Sequence, residues 1–335
     1  LPVVGATGQI VEQRAASLKE WDEASAADRQ STFFQTPAWA SVVATMGNRW
    51  RDASARVRFA SGRSVLLPRM SRAVAAGAFS TLESVPPGLY GGPLGVNQLS
   101  SAEQRELRTL FCGARLAGAV VVESPLAPCD LAGERSRALT HALELPGAEN
   151  AGEDWLLRQY RKGHRAAVNR ARREGLELRL ATTVAEFEEY HAVYLETVRR
   201  WERRPFLVYP RGVFSALGLL AQADKRVRLW IATRDERLLA GALFLHHGRH
   251  AGYWHGATSD RGRQSQAGHL AVHGGIADAA AQGREIVDLL PSGGLDDVIH
   301  FKAGFGARPM EFGVHRFPPS TLWAAARRAR SWLRR

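Results

Sequence analysis

The chain has 335 residues, 45% of them hydrophobic and 23% charged, with a formal net charge of +12 and a pI near 10.5. This profile excludes a fibrous or disordered chain and fits one large domain or two of about 150 residues each. The positive excess is mostly arginine and favours polyanionic partners such as RNA, phosphorylated cofactors or anionic lipid; an arginine-rich solvated surface is the plain alternative. Cys112 and Cys129 form no C-x-x-C pair, which argues against a disulfide framework or a zinc site and fits a reducing compartment. No apolar run is long enough to cross a bilayer. The opening LPVVGATGQIVEQRAA lacks the basic and apolar regions of a signal peptide, so the expected location is the cytoplasm.

In chain order, ARVRFA (55–60), SVLLPRM (64–70) and AFSTLES (78–84) read as strands. SAEQRELRTLFCGARLAG (101–118) reads as a helix and AVVVES (119–124) as a buried strand. LELPGAENAG (143–152) is rich in helix and strand breakers and predicts a boundary, giving lobes over 1–150 and 151–318 and a basic C-terminal helix over 319–335.

WLLRQYRKGHRAAVNRARREG (155–175) is predicted as one helix with no acid between 158 and 173. Arg158, Arg161, Lys162, Arg165 and Asn169 fall on one side of it, whereas Trp155, Ala166, Ala167 and Ala171 pack elsewhere. Like charges at this spacing cost stability, so such a face belongs in solvent or beside anions. Phosphate binding and a solvated helix are the two readings.

VRLWIAT (227–233), LLAGALFLHH (238–247) and HAGYWHGAT (250–258) predict a three-strand meander with tight turns at RDER and Gly248-Arg249. AGHLAVHGGIADAAAQG (267–283) predicts a helix and REIVDLL (284–290) a fourth strand. The β-β-β-α-β order echoes the first half and argues for duplication. The expected class is α/β (α+β): two tandem lobes, each a mixed, mostly antiparallel sheet flanked by helices. The last stretch, STLWAAARRARSWLRR (320–335), has Trp323, Ala326, Trp332 and Leu333 on a rough apolar stripe. Docking on the body is the favoured reading; peripheral contact with an anionic membrane, or with RNA, is the alternative.

HRAAVNRARREG (164–175), the strand end YWHGATSD (253–260), and PSGGL (291–295) followed by FKAGFG (301–306) resemble the FemABX-like acyltransferases of the GNAT superfamily. That group includes peptidoglycan-bridge aminoacyltransferases. FFQTPAWASVV (33–43) and GLYGGPLG (88–95) are similar to its first-lobe helix and the loop after its strands, so the resemblance spans roughly residues 28–318. It implies two GNAT-like lobes, an active site in the second, and transfer of an acyl or aminoacyl group to an amine. The best-studied members take the group from tRNA and place it on a cell-wall precursor. The motif F-K-x-x-F-G maps onto Phe301, Lys302, Phe305 and Gly306, which implies that Lys302 stabilises transition-state charge near the donor end.

Acyl transfer to an amine requires a deprotonated nucleophile, a positioned carbonyl and a donor for the developing oxyanion. The chain has no G-x-S-x-G elbow and no Cys/His setting, which fits direct attack without a covalent intermediate. Lys302, read within a strand-like VIHFKAGFG (298–306), is favoured as oxyanion stabiliser over a solvated strand-end lysine. Strand alternation places Tyr253 and His255 on one face and His250 and Trp254 on the other, either face able to border the acyl group. His255 is the candidate general base, with a hydrogen-bonded structural histidine as the competing reading; Asp260 and Asp288 are weaker candidates. Ser292, Gly293 and Gly294 offer backbone N–H groups to a ligand or form a plain turn, and Arg161, Lys162, Arg165 and Asn169 are candidates for donor phosphates.

His246, His247 and His250 lack a further ligand at metal spacing, so metal catalysis is rejected. Acetyl-CoA-type GNAT sites hold pyrophosphate on a Q/R-x-x-G-x-G/A loop. Here RGRQSQAGHLA (261–271) puts Ser and Gln where glycines are expected. That favours aminoacyl-tRNA over acyl-CoA as donor substrate, with no bound cofactor, a small peptide, amine metabolite or cell-wall precursor as acceptor, and a monomer. The alternatives are an acyl-CoA-dependent N-acyltransferase and a non-catalytic RNA- or membrane-binding protein on the same scaffold.

Overall fold

The computed structural model describes residues 8–47, 50–86, 89–201 and 208–332, and the side chains only as far as 328. Of the residues singled out above, Gly88, Leu333 and the side chain of Trp332 lie outside the described residues. The chain forms two compact units, residues 1–138 with 311–335, and residues 139–310.

The first unit begins with β1 (Ile10–Ala15), α1 (Leu18–Ala27), α2 (Pro37–Ala44), β2 (Trp50–Asp52), β3 (Ala55–Phe59), β4 (Ser64–Leu67), β5 (Met70–Val74), β6 (Phe79–Glu83), α3 (Ser101–Glu106) and β7 (Leu116–Val122). Ser17 and Glu20 form a capping box on α1, and Thr36 caps α2 ahead of Pro37. Strands β1, β3 and β4 form a small antiparallel sheet, whereas β2, β5, β6 and β7 build another. SVLLPRM is therefore not one strand. Pro68 has no N–H for a ladder, and the chain changes sheets there. The helix expected over 101–118 ends as α3 at Glu106 and tightens into a 3-10 turn up to Phe111, because Leu116 already starts β7, parallel to β6. Val57, Phe59, Leu82, Leu107, Phe111 and Val121 form much of this unit's core.

The chain enters the second unit within β8 (Glu134–Glu144), followed by α4 (Glu153–Gln159), α5 (Lys162–Arg173), β9 (Glu177–Leu180), α6 (Val184–Arg199), α7 (Arg211–Ala223), β10 (Val227–Arg234), β11 (Arg237–His247), β12 (His250–Thr258), α8 (Asp260–Gln264), α9 (Ala267–Ala281), β13 (Ile286–Asp288) and α10 (Asp296–Gly304). Its strands lie in the order β8-β13-β12-β11-β10-β9, antiparallel throughout except for β12 beside β13. The buried helix α9 packs directly on this sheet. A Cβ on Gly275 would lie 1.9 Å from the Phe244 ring, so only glycine permits the approach. The chain returns to the first unit within β14 (Arg308–Phe317), whose Val314–Phe317 segment pairs antiparallel with β7, and ends in α11 (Thr321–Trp332). Trp323 docks α11 edge-on against Phe79, their ring centres 5.0 Å apart.

Three further expectations are corrected. The division falls at 138/139 rather than at residue 150, because β8 runs to Glu144 and the Leu145 N–H bonds the Glu285 carbonyl. The basic segment is two helices, broken at Tyr160 and Arg161, both of extended backbone. There the Arg161 N–H donates to the Gly304 carbonyl at 2.9 Å, and the buried Tyr160 hydroxyl meets His273 at 3.1 Å. Lys302 lies in helix α10, not in a strand; Asp296 and Asp297 in its first turn complement the helix dipole. Among the described residues, no helix is long and apolar enough to cross a membrane.

Candidate active site

Strands β12 and β13 pair over only three positions, His250 with Ile286, Ala251 with Val287 and Gly252 with Asp288. Strand β13 then stops, while β12 continues to Thr258, so the edge of β12 facing β13 loses its strand partner beyond Gly252. At this opening lies a cleft of about 390 Å³ whose walls include Thr197, Arg200, Tyr253, Arg263, His269 and Phe301.

A β-bulge decides which side chains enter it. The β11–β12 register steps from Leu243–His255 to Phe244–Tyr253, leaving Trp254 without an opposite residue. Tyr253 therefore turns to the α9 side and borders the cleft. Trp254 and His255 both turn towards α6 and α7: Trp254 lies 5.0 Å from the Tyr209 ring and His255 4.6 Å from the Tyr194 ring. Simple alternation had paired Tyr253 with His255, and the extra residue breaks that pairing. His255 Nδ1 meets the Tyr190 hydroxyl at 2.6 Å. Burial, reinforced by His191, holds the imidazole down to about 3, so it is neutral at physiological pH.

The two aspartates differ. Asp260 is exposed on α8, where it pairs with Arg200 at 2.9 Å and does not line the cleft. Asp288 is buried where the strands separate; it accepts from Thr140 Oγ1 at 2.5 Å and the Leu290 N–H at 2.8 Å, and lies 3.4 Å from His250 Nε2. Next along the chain, Leu290 has a left-handed backbone, φ 59°, which is strained for any residue with a side chain. Lys302 clamps it, Nζ donating to the Leu290 carbonyl at 2.5 Å and the Pro291 carbonyl at 3.1 Å. Lys302 is only 4% exposed, and burial brings its ammonium down to about 8 although Asp288 pulls the other way. Two of its three N–H bonds are thus committed to carbonyls. Ser292 Oγ is buried without a partner among the described residues, and Gly293 and Gly294 turn the chain with left-handed backbones. Phe301 reaches the cleft, whereas Phe305 is fully buried against Tyr160 and His164.

Helix α5 meets the cleft through His164, which hydrogen-bonds the Phe301 carbonyl at 2.9 Å and stacks edge-on to His269 at 4.7 Å. Burial, with His164 adding repulsion, holds His269 down to about 4. Flanking His164 in sequence, Arg161, Lys162 and Arg165 are exposed, and none forms an ion pair among the described residues; Asn169 is half-buried. Farther along, Arg170 pairs with Glu174 at 2.6 Å and Arg172 with Glu153 at 2.7 Å. The first turn of α5 holds no acid. Cations there oppose the helix dipole.

Among the cleft residues that escaped the sequence reading are Thr197, Arg200, Arg263, Gln266 and His269. Gln266 precedes α9 with a left-handed backbone, φ 60°, the conformation for which glycine is usually chosen. The spacing Arg263-x-x-Gln266-x-Gly268 was the available signal, hidden because Gln stands at a glycine position. One further cluster, Glu123, Cys129 and His315 in the first unit, brings three ligand atoms within 4.8 Å of one another. The Glu123 oxygens are already occupied by Arg135 at 3.0 and 2.9 Å, the Gly313 N–H at 2.9 Å and His315 at 2.5 Å, and burial keeps the Cys129 thiol protonated. Its carboxylate is thus fully engaged by protein donors.

Residues 158–302 match the family model described as an acetyltransferase (GNAT) domain. No curated protein matches the chain. Among solved structures, that of FemX is 12% identical, covers 90% of this chain and 97% of its own, and superposes with a TM-score of 0.62. The C-terminal domain of a protein assigned as a lysylphosphatidylglycerol synthetase from Agrobacterium fabrum is 13% identical, with coverage of 92% and 95% and a TM-score of 0.51. L-PGS from Bacillus licheniformis is 12% identical, with coverage of 89% of each chain and a TM-score of 0.51. At such identities the likeness is one of fold. The chain has the expected α/β architecture of tandem GNAT-like lobes, and the stretch that matches the GNAT domain model lies within its second unit.

Proposed function

We propose that the second unit transfers an aminoacyl group from aminoacyl-tRNA to an amine. The observation that carries this reading is the row Arg161, Lys162 and Arg165, exposed, without acidic partners among the described residues and joined to the cleft wall through His164. Cations so placed suit a polyanionic carrier whose acylated end enters the cleft. The named products of the lysylphosphatidylglycerol synthetase neighbour are in keeping with an aminoacyl donor.

In the proposed reaction the donor carbonyl lies against the unpaired edge of β12, whose backbone N–H groups, with the remaining N–H of Lys302, receive the developing oxyanion. The neutral acceptor amine attacks the ester carbon. The tetrahedral intermediate then collapses, breaking the bond to the ribose oxygen, which leaves with a proton originating on the amine. No enzyme nucleophile takes part. His255, turned into the ring cluster, serves the packing of β12 on α6 rather than the proton transfer.

The left-handed Gln266 supports a second reading, an acyl-CoA donor, because a loop of that shape presents helix N–H groups to pyrophosphate. Binding of fluorescent bulk tRNA at physiological salt, with excess CoA as competitor, separates the two. Tight tRNA binding that CoA does not displace is the expected result. Clear CoA binding without tRNA binding would establish the second reading, and binding of neither would refute both.

A further inference from the structure

A second cavity in this unit, about 490 Å³, is lined by Arg234, Asp235, Arg237, Leu239 and Arg261. Arg234 and Arg237 close the β10–β11 hairpin as a directly opposed pair. Like charges facing each other across a hairpin are destabilising, so the arrangement calls for an anion between or above them. The turn supplies Asp235, but Arg237 and Arg261 are exposed and in no ion pair among the described residues. Arg234 gives one nitrogen to Glu174 at 3.2 Å, while its Nε is buried without a partner among the described residues.

Helix α8 supplies the third guanidinium. A Cβ on Gly262 would lie 2.3 Å from the Leu239 carbonyl, so glycine lets α8 lie directly on β11. With α8 seated there, Arg261 enters this cavity and Arg263 enters the cleft.

We propose that Arg234, Arg237 and Arg261 form a phosphate-binding site separate from the cleft, taking a phosphate group of the donor's carrier. Three forked guanidinium groups match the oxygens of one phosphate, and the partly apolar floor at Leu239 limits competing water. The link to a carrier rests on the donor reading above; the phosphate site itself does not.

The test compares the wild-type protein with an Arg237→Ala/Arg261→Ala double variant in calorimetric titrations with inorganic pyrophosphate at low salt. Wild-type binding weakened at least tenfold in the variant is expected. Equal binding by both, or none by the wild type, overturns the site. The variant should melt no lower than wild type without pyrophosphate, because it loses a repulsion. An Arg237→Lys/Arg261→Lys variant, keeping charge but not the fork, should bind at an intermediate level. Parallel titrations assign the source. Loss of two phosphate contacts should flatten the salt slope of tRNA binding by about 1.4 to 1.8, whereas a weakened affinity for CoA alone would identify a nucleotide phosphate. Pyrophosphate binding lost in the variant while wild type ignores tRNA would leave the site standing and remove the tRNA reading.

Discussion

Replacing Arg161, Lys162 and Arg165 by alanine deletes three exposed charges that form no ion pair among the described residues, whereas Arg170 and Arg172 are already engaged and are left in place. Each cation that displaces a counterion contributes about 0.7 to 0.9 to the slope of log K against log salt, so the triple variant should flatten that slope by about 2 to 2.7. Between 50 and 200 mM salt, the wild type should therefore lose about 15- to 40-fold more affinity than the variant. The assay is fluorescence anisotropy of labelled tRNA across that range. Unfolding is a poor explanation for such a loss, because Arg161 stands at the N-cap of α5 without a side-chain capping bond, Lys162 and Arg165 lie in its first turns, and all three oppose the helix dipole. The melting temperature should hold or rise. Parallel salt lines for variant and wild type would refute the role assigned to this row.

A methyl group at Gly275 meets Phe244, so Gly275→Ala should cost about 1 to 3 kcal/mol in urea melts; an unchanged midpoint would show that α9 lifts off the sheet freely. Lys302 titrates near 8 when folded and near 10.5 when unfolded, so the unfolded chain binds more protons between those values and stability should rise with pH across that window. The gain should reach about 3 kcal/mol, and comparison of wild type with Lys302→Met at pH 7.5 and 10 isolates it; equal pH dependence in both would show that the ammonium is not buried as described. His255, held to about 3, should show no imidazole titration by NMR between pH 5 and 8, and a midpoint inside that range would reopen its candidacy as general base.

The meander β10–β12 and helix α9 were legible because their signals are local: alternation, tight turns and helical spacing set them within a few residues. What the sequence hid depends on partners far along the chain. The break at Tyr160 is held by Gly304 and His273, and neither contact is visible in the run of arginines that surrounds it. The bulge at Trp254 is a property of the β11 register, so the local pattern assigned His255 to the wrong face. VIHFKAGFG has too few polar residues to reveal a period, and the acids that favour a helix stand just ahead of it at Asp296 and Asp297. Lys302 and Phe301 were singled out by motif, and Phe301 lines the cleft, but the strained Leu290 beneath Lys302 had no sequence signal, since leucine is an ordinary residue outside that conformation.

The first unit is assembled from both ends of the described chain, with consequences for its birth on the ribosome. Val122 of β7 must wait for Val314 of β14, 314 − 122 = 192 residues later. At synthesis rates of 5 to 20 residues per second, that is about 10 to 40 s with a strand edge unsheltered. An open edge of this kind invites pairing with a neighbouring nascent chain. The second unit is one uninterrupted stretch and can mature inside that interval, so chaperone demand should concentrate on the unit whose two segments it separates.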